Sequence, residues 1–131
     1  MLSSDELRRY NRHLLIPEFG REGQEKLKAA RILVIGCGGL GSPILLYLAA
    51  AGVGTLGIID GDRVDESKLQ RQVLYGTASI GKPKVDETAQ RLHSLNPHCV
   101  IEPYFEQLTS QNALDILARY DVIVDGSDNF P

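Results

Sequence analysis

Arg31-Ile-Leu-Val-Ile-Gly-Cys-Gly-Gly-Leu-Gly41, continued by an apolar run to Ala51 and then by Leu56-Gly-Ile-Ile-Asp60, reads as a strand, a glycine-rich turn, a helix and a second strand ending in an acid. Gly36, Gly38 and Gly41 fall on the G-x-G-x-x-G spacing. That spacing lets the backbone turn tightly and approach a phosphate at the N-terminus of the following helix. Gly39 belongs to the same turn. Asp60 closes the second strand about twenty residues further on, where a carboxylate accepts hydrogen bonds from ribose hydroxyls. Glycines at a strand-to-helix turn can also serve close packing alone. Here the apolar strand before them and the acid after them favour a nucleotide site at the edge of a sheet.

Working outward from this unit, Ser3 and Glu6 form a capping-box pattern ahead of Leu7, Tyr10, Asn11 and Leu14, which predicts a short amphipathic helix. Pro17 and Gly20 break it, and residues 22–30 read as a second short helix leading into the first strand, Ile32 to Ile35. The helix after the turn runs from about Gly41 to Ala51 and is so apolar that two of its faces are expected to be covered. Gly52 and Gly54 end it. Beyond the strand Leu56 to Asp60, a polar stretch from Gly61 to Lys82 shows no sustained periodicity. Connections of this length in compact domains tend to be functional.

Pro83 fits a first helical position, and Val85, Ala89, Leu92 and Leu95 mark one face of a helix stopped by Asn96-Pro97. A third strand covers about Val100 to Phe105. Thr109 or Ser110 can cap a helix with Ala113, Leu114, Leu117 and Ala118 inward, and Val122 to Asp125 reads as a fourth strand. The alternation predicts an α/β fold, a Rossmann-like doubly wound sheet of mainly parallel strands with right-handed crossovers. The division expected is an N-terminal helical segment, residues 1–30, and a nucleotide-binding α/β domain, residues 31–131. A doubly wound dinucleotide fold has about six strands. A chain that stops at Pro131, soon after its fourth, is therefore expected to be the front part of a longer protein.

Composition narrows the classes. With 43% hydrophobic and 24% charged residues the chain is typical of a globular protein, and its apolar runs are too short for a bilayer. The N-terminus lacks the basic and apolar regions of a secretory signal, so a cytoplasmic protein is expected. A formal charge of −3 argues against broad contact with a nucleic-acid backbone. Cys37 and Cys99 form no C-x-x-C pair and are expected to be reduced and buried, and His13, His93 and His98 share no metal-ligand spacing.

The long connection carries Asp62, Arg63, Ser67, Lys68, Arg71 and Gln72, and the next helix opens Gly81-Lys82-Pro83-Lys84. A lysine in a first helical turn is disfavoured by the macrodipole by a few tenths of a kcal/mol. A bound polyphosphate would reverse that cost. Taken singly, Arg71 and Lys84 could equally be solvated charges. Asp62 reads as a turn-shaping residue rather than a ligand.

Six motifs in order extend over the chain: R-Y-N-R-H at Arg9 to His13, G-C-G-G-L-G at Gly36 to Gly41, D-G-D at Asp60 to Asp62, S-K-L-Q-R-Q at Ser67 to Gln72, G-K-P-K at Gly81 to Lys84 and D-G-S-D-N-F at Asp125 to Phe130. In these the chain resembles the MoeB/ThiF adenylyltransferases, bacterial relatives of ubiquitin-activating enzymes. The resemblance implies ATP-dependent adenylation of the C-terminal glycine carboxylate of a small ubiquitin-like sulfur-carrier protein, in molybdopterin or thiamine biosynthesis, with release of pyrophosphate. It assigns Arg71 and Lys84 to the phosphates, Asp128 to magnesium and Asp60 to the ribose, with Ser67 and Gln72 lining the nucleotide. Arg12 is implied to reach the triphosphate of a partner subunit, which requires a homodimer. The family usually has asparagine where this chain has Lys68. Zinc-binding C-x-x-C pairs, a catalytic cysteine and the carrier-binding surface would lie beyond Pro131, and a sulfur donor is a further possible partner. The chemistry suits the residues, because a carboxylate nucleophile is already ionised near neutral pH and needs positioning and charge stabilisation rather than a general base. An NAD-dependent oxidoreductase domain would explain the glycine turn and Asp60 but not the two cationic clusters. A noncatalytic nucleotide-binding fragment is the alternative from another class.

Overall fold

The computed structural model describes residues 1–10, 20–38, 41–64 and 81–126. Among them, the elements in chain order are α1 (Ser4–Arg9), α2 (Gly20–Ala29), β1 (Arg31–Ile35), α3 (Gly41–Ala51), β2 (Thr55–Ile59), α4 (Lys84–Leu95), β3 (Val100–Tyr104), α5 (Ala113–Leu117) and β4 (Val122–Asp125). All strand pairs are parallel and the sheet order is β3-β2-β1-β4. The register sets Ile35 opposite both Ile59 and Asp125. The order reverses at β1, where the chain has built outward through β2 and β3 and then returns to the other side. In open α/β sheets a crevice for ligands forms at the carboxyl ends of the strands at such a reversal.

The near-continuous apolar runs of β1 and β2 are what a parallel sheet covered on both faces requires. Side chains alternate across it. Ile32, Val34, Leu56 and Ile58 pack with Leu45 and Ala49 of α3 and Val85 and Leu92 of α4. Leu33 and Ile59 face Ile116 and Tyr120 on the opposite side. Pro103 has no N–H to give a second neighbour, which suits β3 to its place at the sheet edge.

The capping box at Ser3 forms, with Ser3 Oγ accepting from the Glu6 N–H at 3.1 Å and Glu6 Oε1 accepting from the Ser3 N–H at 3.0 Å. Helix α1 and helix α2 are fastened to the end of the sheet opposite the glycine turn. Lys28 Nζ donates to Glu6 Oε1 at 2.7 Å, Arg9 donates to the Leu95 carbonyl at 3.0 Å, and Asn96 Nδ2 donates to the Tyr10 hydroxyl and the Ala49 carbonyl, each at 2.8 Å. Gln24 donates to the Ala51 carbonyl at 2.8 Å. Helix α3 has no basic residue in its last turn, and these two amides from other elements supply donors to carbonyls at its C-terminus.

Several local expectations are corrected. Pro83 is the N-cap of α4, not its first helical residue, with ψ of 131° that stops it from joining the helix. The inward face of α4 is Lys84, Val85, Thr88 and Leu92, and Leu95 is exposed because the helix ends as it leaves the core. In α5 Ile116 is buried and Leu117 packs against the same cluster, as expected of Leu117, while Leu114 is 82% exposed, since a helix of barely more than a turn offers one narrow side to the sheet. Ala118 is likewise exposed. The N-cap of α5 is Asn112 and not Thr109 or Ser110; Thr109 instead closes the turn before it, its hydroxyl accepting from the Gln111 N–H at 3.3 Å and its N–H donating to Asn112 Oδ1 at 2.7 Å. Helix α3 buries one face, formed by Gly41, Ser42, Leu45 and Ala49, while Tyr47 on the other is 78% exposed. Cys37 and Cys99 are buried, as expected. No helix among the described residues is long and apolar enough to cross a membrane.

Candidate nucleotide-binding site

The turn after β1 depends on two glycines. Gly36 has φ of +90°, a conformation that L side chains rarely adopt, and its N–H donates to the Ile59 carbonyl at 2.8 Å. A Cβ on Gly41 would stand 2.1 Å from the Gly36 carbonyl oxygen, a backbone atom with no room to retreat. Ser42 completes the entry to α3, its N–H on the Gly38 carbonyl at 2.9 Å and its hydroxyl on the Cys37 carbonyl at 2.7 Å. No acidic residue occupies the first turn of α3, so its positive end meets no carboxylate from its own sequence.

Three further segments converge on this turn. Asp60, directly after β2, accepts the Cys37 N–H on Oδ2 at 3.1 Å and the Asp62 N–H on Oδ1 at 2.8 Å. Oδ2 also accepts from the Cys37 thiol at 3.5 Å, so of a carboxylate's roughly four acceptor sites one remains, on Oδ1, for a ligand such as a ribose hydroxyl. Gly126, after β4, packs so closely that a Cβ there would lie 2.8 Å from Gly41 Cα. Lys84, at the start of α4, is joined through its N–H to the Asp62 carbonyl at 3.0 Å, and its Nζ stands 4.0 Å from Asp62 Oδ2. Gly36, Gly38, Gly41, Asp60 and Lys84 are thus gathered at one end of the sheet.

Gly39, Ser67, Lys68, Arg71, Gln72, Asp128 and Arg12 lie outside the described residues. Both ends of the connection that carries Arg71 are nonetheless tied into the site. Val64 N–H donates to the Lys82 carbonyl and Gly81 N–H to the Val64 carbonyl, each at 2.9 Å, and Arg63 pairs with Pro83 in an isolated antiparallel bridge. The Arg63 guanidinium donates to the Gly81 carbonyl at 3.0 Å and lies 5.1 Å from the Phe105 ring centroid. Gln107 packs against Gly61, with its Cγ 3.0 Å from where a Cβ would be. The loop after β3 therefore borders the site, which sequence reading missed. Nothing in the local pattern of Phe105 to Gln107 announces it, because the contact depends on β3 pairing beside β2. Among the described residues no group of three or more His, Cys, Asp or Glu could hold a metal ion.

The ThiF family matches residues 10–131. A sulfur carrier protein adenylyltransferase of Thermus thermophilus is 53% identical over 129 residues, 98% of this chain and 48% of that protein. The adenylyltransferase and sulfurtransferase MOCS3 of Bos taurus is 53% identical over 130 residues, 99% of this chain and 29% of that protein. The chain thus spans about half the length, or less, of these relatives. Among solved structures, the E. coli tRNA N6-threonylcarbamoyladenosine dehydratase TcdA in complex with ATP superposes with a TM-score of 0.90 at 25% identity, covering 98% of this chain and 53% of that one.

Proposed function

This chain belongs to the ThiF family, and on that premise we propose that it is the nucleotide-binding part of an enzyme that adenylates the C-terminal carboxylate of a ubiquitin-like sulfur-carrier protein. A carboxylate oxygen attacks the α-phosphorus of ATP, the bond from that phosphorus to the bridging oxygen of the β-phosphate breaks, and pyrophosphate leaves. No proton needs to be removed from the nucleophile. The protein's work is to position the two reactants and to stabilise charge on the phosphates.

The observation that carries this reading is Lys84, a cation 2% exposed and bonded through Asp62 to the acid that faces the glycine turn. An NAD-dependent oxidoreductase needs the glycine turn and Asp60 but has no use for a buried ammonium at the next helix. In the adenylation reading Lys84 and Arg71 take the phosphates, Asp60 takes the ribose, and Gly36, Gly38, Gly39 and Gly41 form the cradle, flanked by Ser67 and Gln72. Asp128, two residues beyond the Gly126 that packs on Gly41, holds magnesium. Magnesium usually takes one or two protein carboxylates together with phosphates and water, so a single acid suits it. Arg12 serves the partner subunit of a homodimer. The carrier acts in molybdopterin or thiamine biosynthesis, and the relatives' names support a sulfur carrier as the substrate class.

Calorimetric titration of the full-length protein with ATP and magnesium, and separately with NAD, tests the nucleotide. ATP–pyrophosphate exchange that depends on an added carrier protein tests the reaction. Binding of NAD without ATP would overturn the reading. ATP binding without carrier-dependent exchange would favour the noncatalytic alternative.

A further inference from the structure

A lysine normally carries its ammonium to water at the end of a flexible stem and is almost never fully buried unless paired. Lys84 is the buried cation among the described residues. Its Nζ stands 4.0 Å from Asp62 Oδ2, and the Asp62 side chain is about half exposed. At that distance the carboxylate is beyond hydrogen-bond range, so the three N–H donors of the ammonium are not taken up by it. The Coulombic attraction survives at that distance and strengthens where water is excluded. The main chain of Asp62 adds a second relation. Its N–H donates to Asp60 Oδ1 at 2.8 Å and its carbonyl accepts from the Lys84 N–H at 3.0 Å, so one residue joins the acid facing the glycine turn to the cation at the helix start.

We propose that Asp62 is a positioning residue for the phosphate-binding cation. Its carboxylate holds the Lys84 ammonium in place by charge while leaving the donors of that ammonium for phosphate oxygens. The inference rests on the reading of Lys84 as a phosphate ligand. It assigns to Asp62 a task that its sequence context, an acid in a polar turn, does not announce. A carboxylate in direct contact with a polyphosphate would repel it, whereas one 4.0 Å from a buried ammonium holds that cation by charge.

Asp62→Asn keeps the side-chain shape and both main-chain bonds and removes the charge. In calorimetric titration of the full-length protein with ATP and magnesium, Asp62→Asn should lower affinity about tenfold, within the range of coupling between contacting residues. In a Lys84→Ala background the same change should cost nothing further, because its effect passes through Lys84. Asp62→Glu, which keeps the charge, should bind ATP within about threefold of wild type. Wild-type affinity in Asp62→Asn, an equal loss with and without Lys84, or equal losses in the Asn and Glu variants would each overturn the assignment. Failure of the unmodified protein to bind ATP would instead overturn the nucleotide reading on which the assignment stands.

Discussion

At the scale of single residues, the glycine turn tolerates nothing larger at Gly41. A Cβ there would stand 2.1 Å from a backbone oxygen, so the turn must open to accommodate it. Gly41→Ala should destabilise the fold by about 1–3 kcal/mol, the usual cost of overpacking, and weaken nucleotide binding more than that loss of stability explains. Urea denaturation and ATP titration separate the two effects. Arg71→Ala should lower carrier-dependent pyrophosphate exchange about 100-fold, the scale seen when one preorganised charge-stabilising donor is removed, with the circular dichroism spectrum unchanged. Near-normal exchange would make Arg71 a surface charge. Burial pushes the Cys99 thiol up to about 11 from its ordinary 9.0, against a smaller lowering by a backbone bond to Leu56. A group whose folded value is raised contributes stability that is complete below its ordinary value and is lost as the pH rises toward the folded one. Wild type should therefore lose stability between about pH 9 and 11 more steeply than Cys99→Ala, as measured by denaturation at stepped pH.

At the scale of elements, the docking of α1 and α2 rests on a few polar bonds. Asn96→Ala leaves the Tyr10 hydroxyl and the Ala49 carbonyl without their shared donor. The cost should be about 1–3 kcal/mol in urea, the loss of two buried hydrogen bonds at about 0.5–1.5 kcal/mol each. Burial raises the Glu6 carboxyl, but the Lys28 ammonium and the bonds from Ser3 outweigh it and hold the group below its ordinary 4.5. Its contribution is accordingly present above pH 4.5 and fades below it, and Glu6→Gln should remove that acid-side dependence. The order of the elements, their parallel pairing and the capping box were legible in the sequence because each follows from a short periodicity or from one cap. The inward face of α4 was less so. Lys84 and Thr88 sit in it where Leu95 was expected, since apolar spacing cannot foresee which polar side chains the fold buries.

At the scale of the whole molecule, Tyr47 on α3 and Val122 and Ile123 on β4 are exposed apolar side chains of a fold that covers about half of its relatives' length. A composite site in a homodimer gives a sharp test in the full-length protein. If Arg12 completes the partner's site, a mixture of Arg12→Ala and Asp128→Ala proteins should recover activity that neither variant has alone. With random exchange about half the dimers are mixed and each holds one intact site of two, so recovery should approach about a quarter of wild type in a closed two-fold dimer. No recovery, after native mass spectrometry has shown that subunits exchange, would confine Arg12 to its own subunit.

The glycine spacing from Gly36 to Gly41, the acid at Asp60 and the alternation of strand and helix are local properties of the chain, and the sequence by itself determined from them a parallel α/β sheet with a glycine-rich turn after its first strand. Local signals suffice there because turn geometry and side-chain periodicity act within a few residues. What only the tertiary structure decided is which distant residues meet. It set Asp62 beside Lys84, Arg63 over Phe105, and Asn96 between Tyr10 and Ala49. These contacts follow from the strand order β3-β2-β1-β4, which brings the loops after β2 and β3 to one edge and joins the ends of α3 and α4 to the N-terminal helices. They arise between residues tens of positions apart, and no pattern along the chain encodes them.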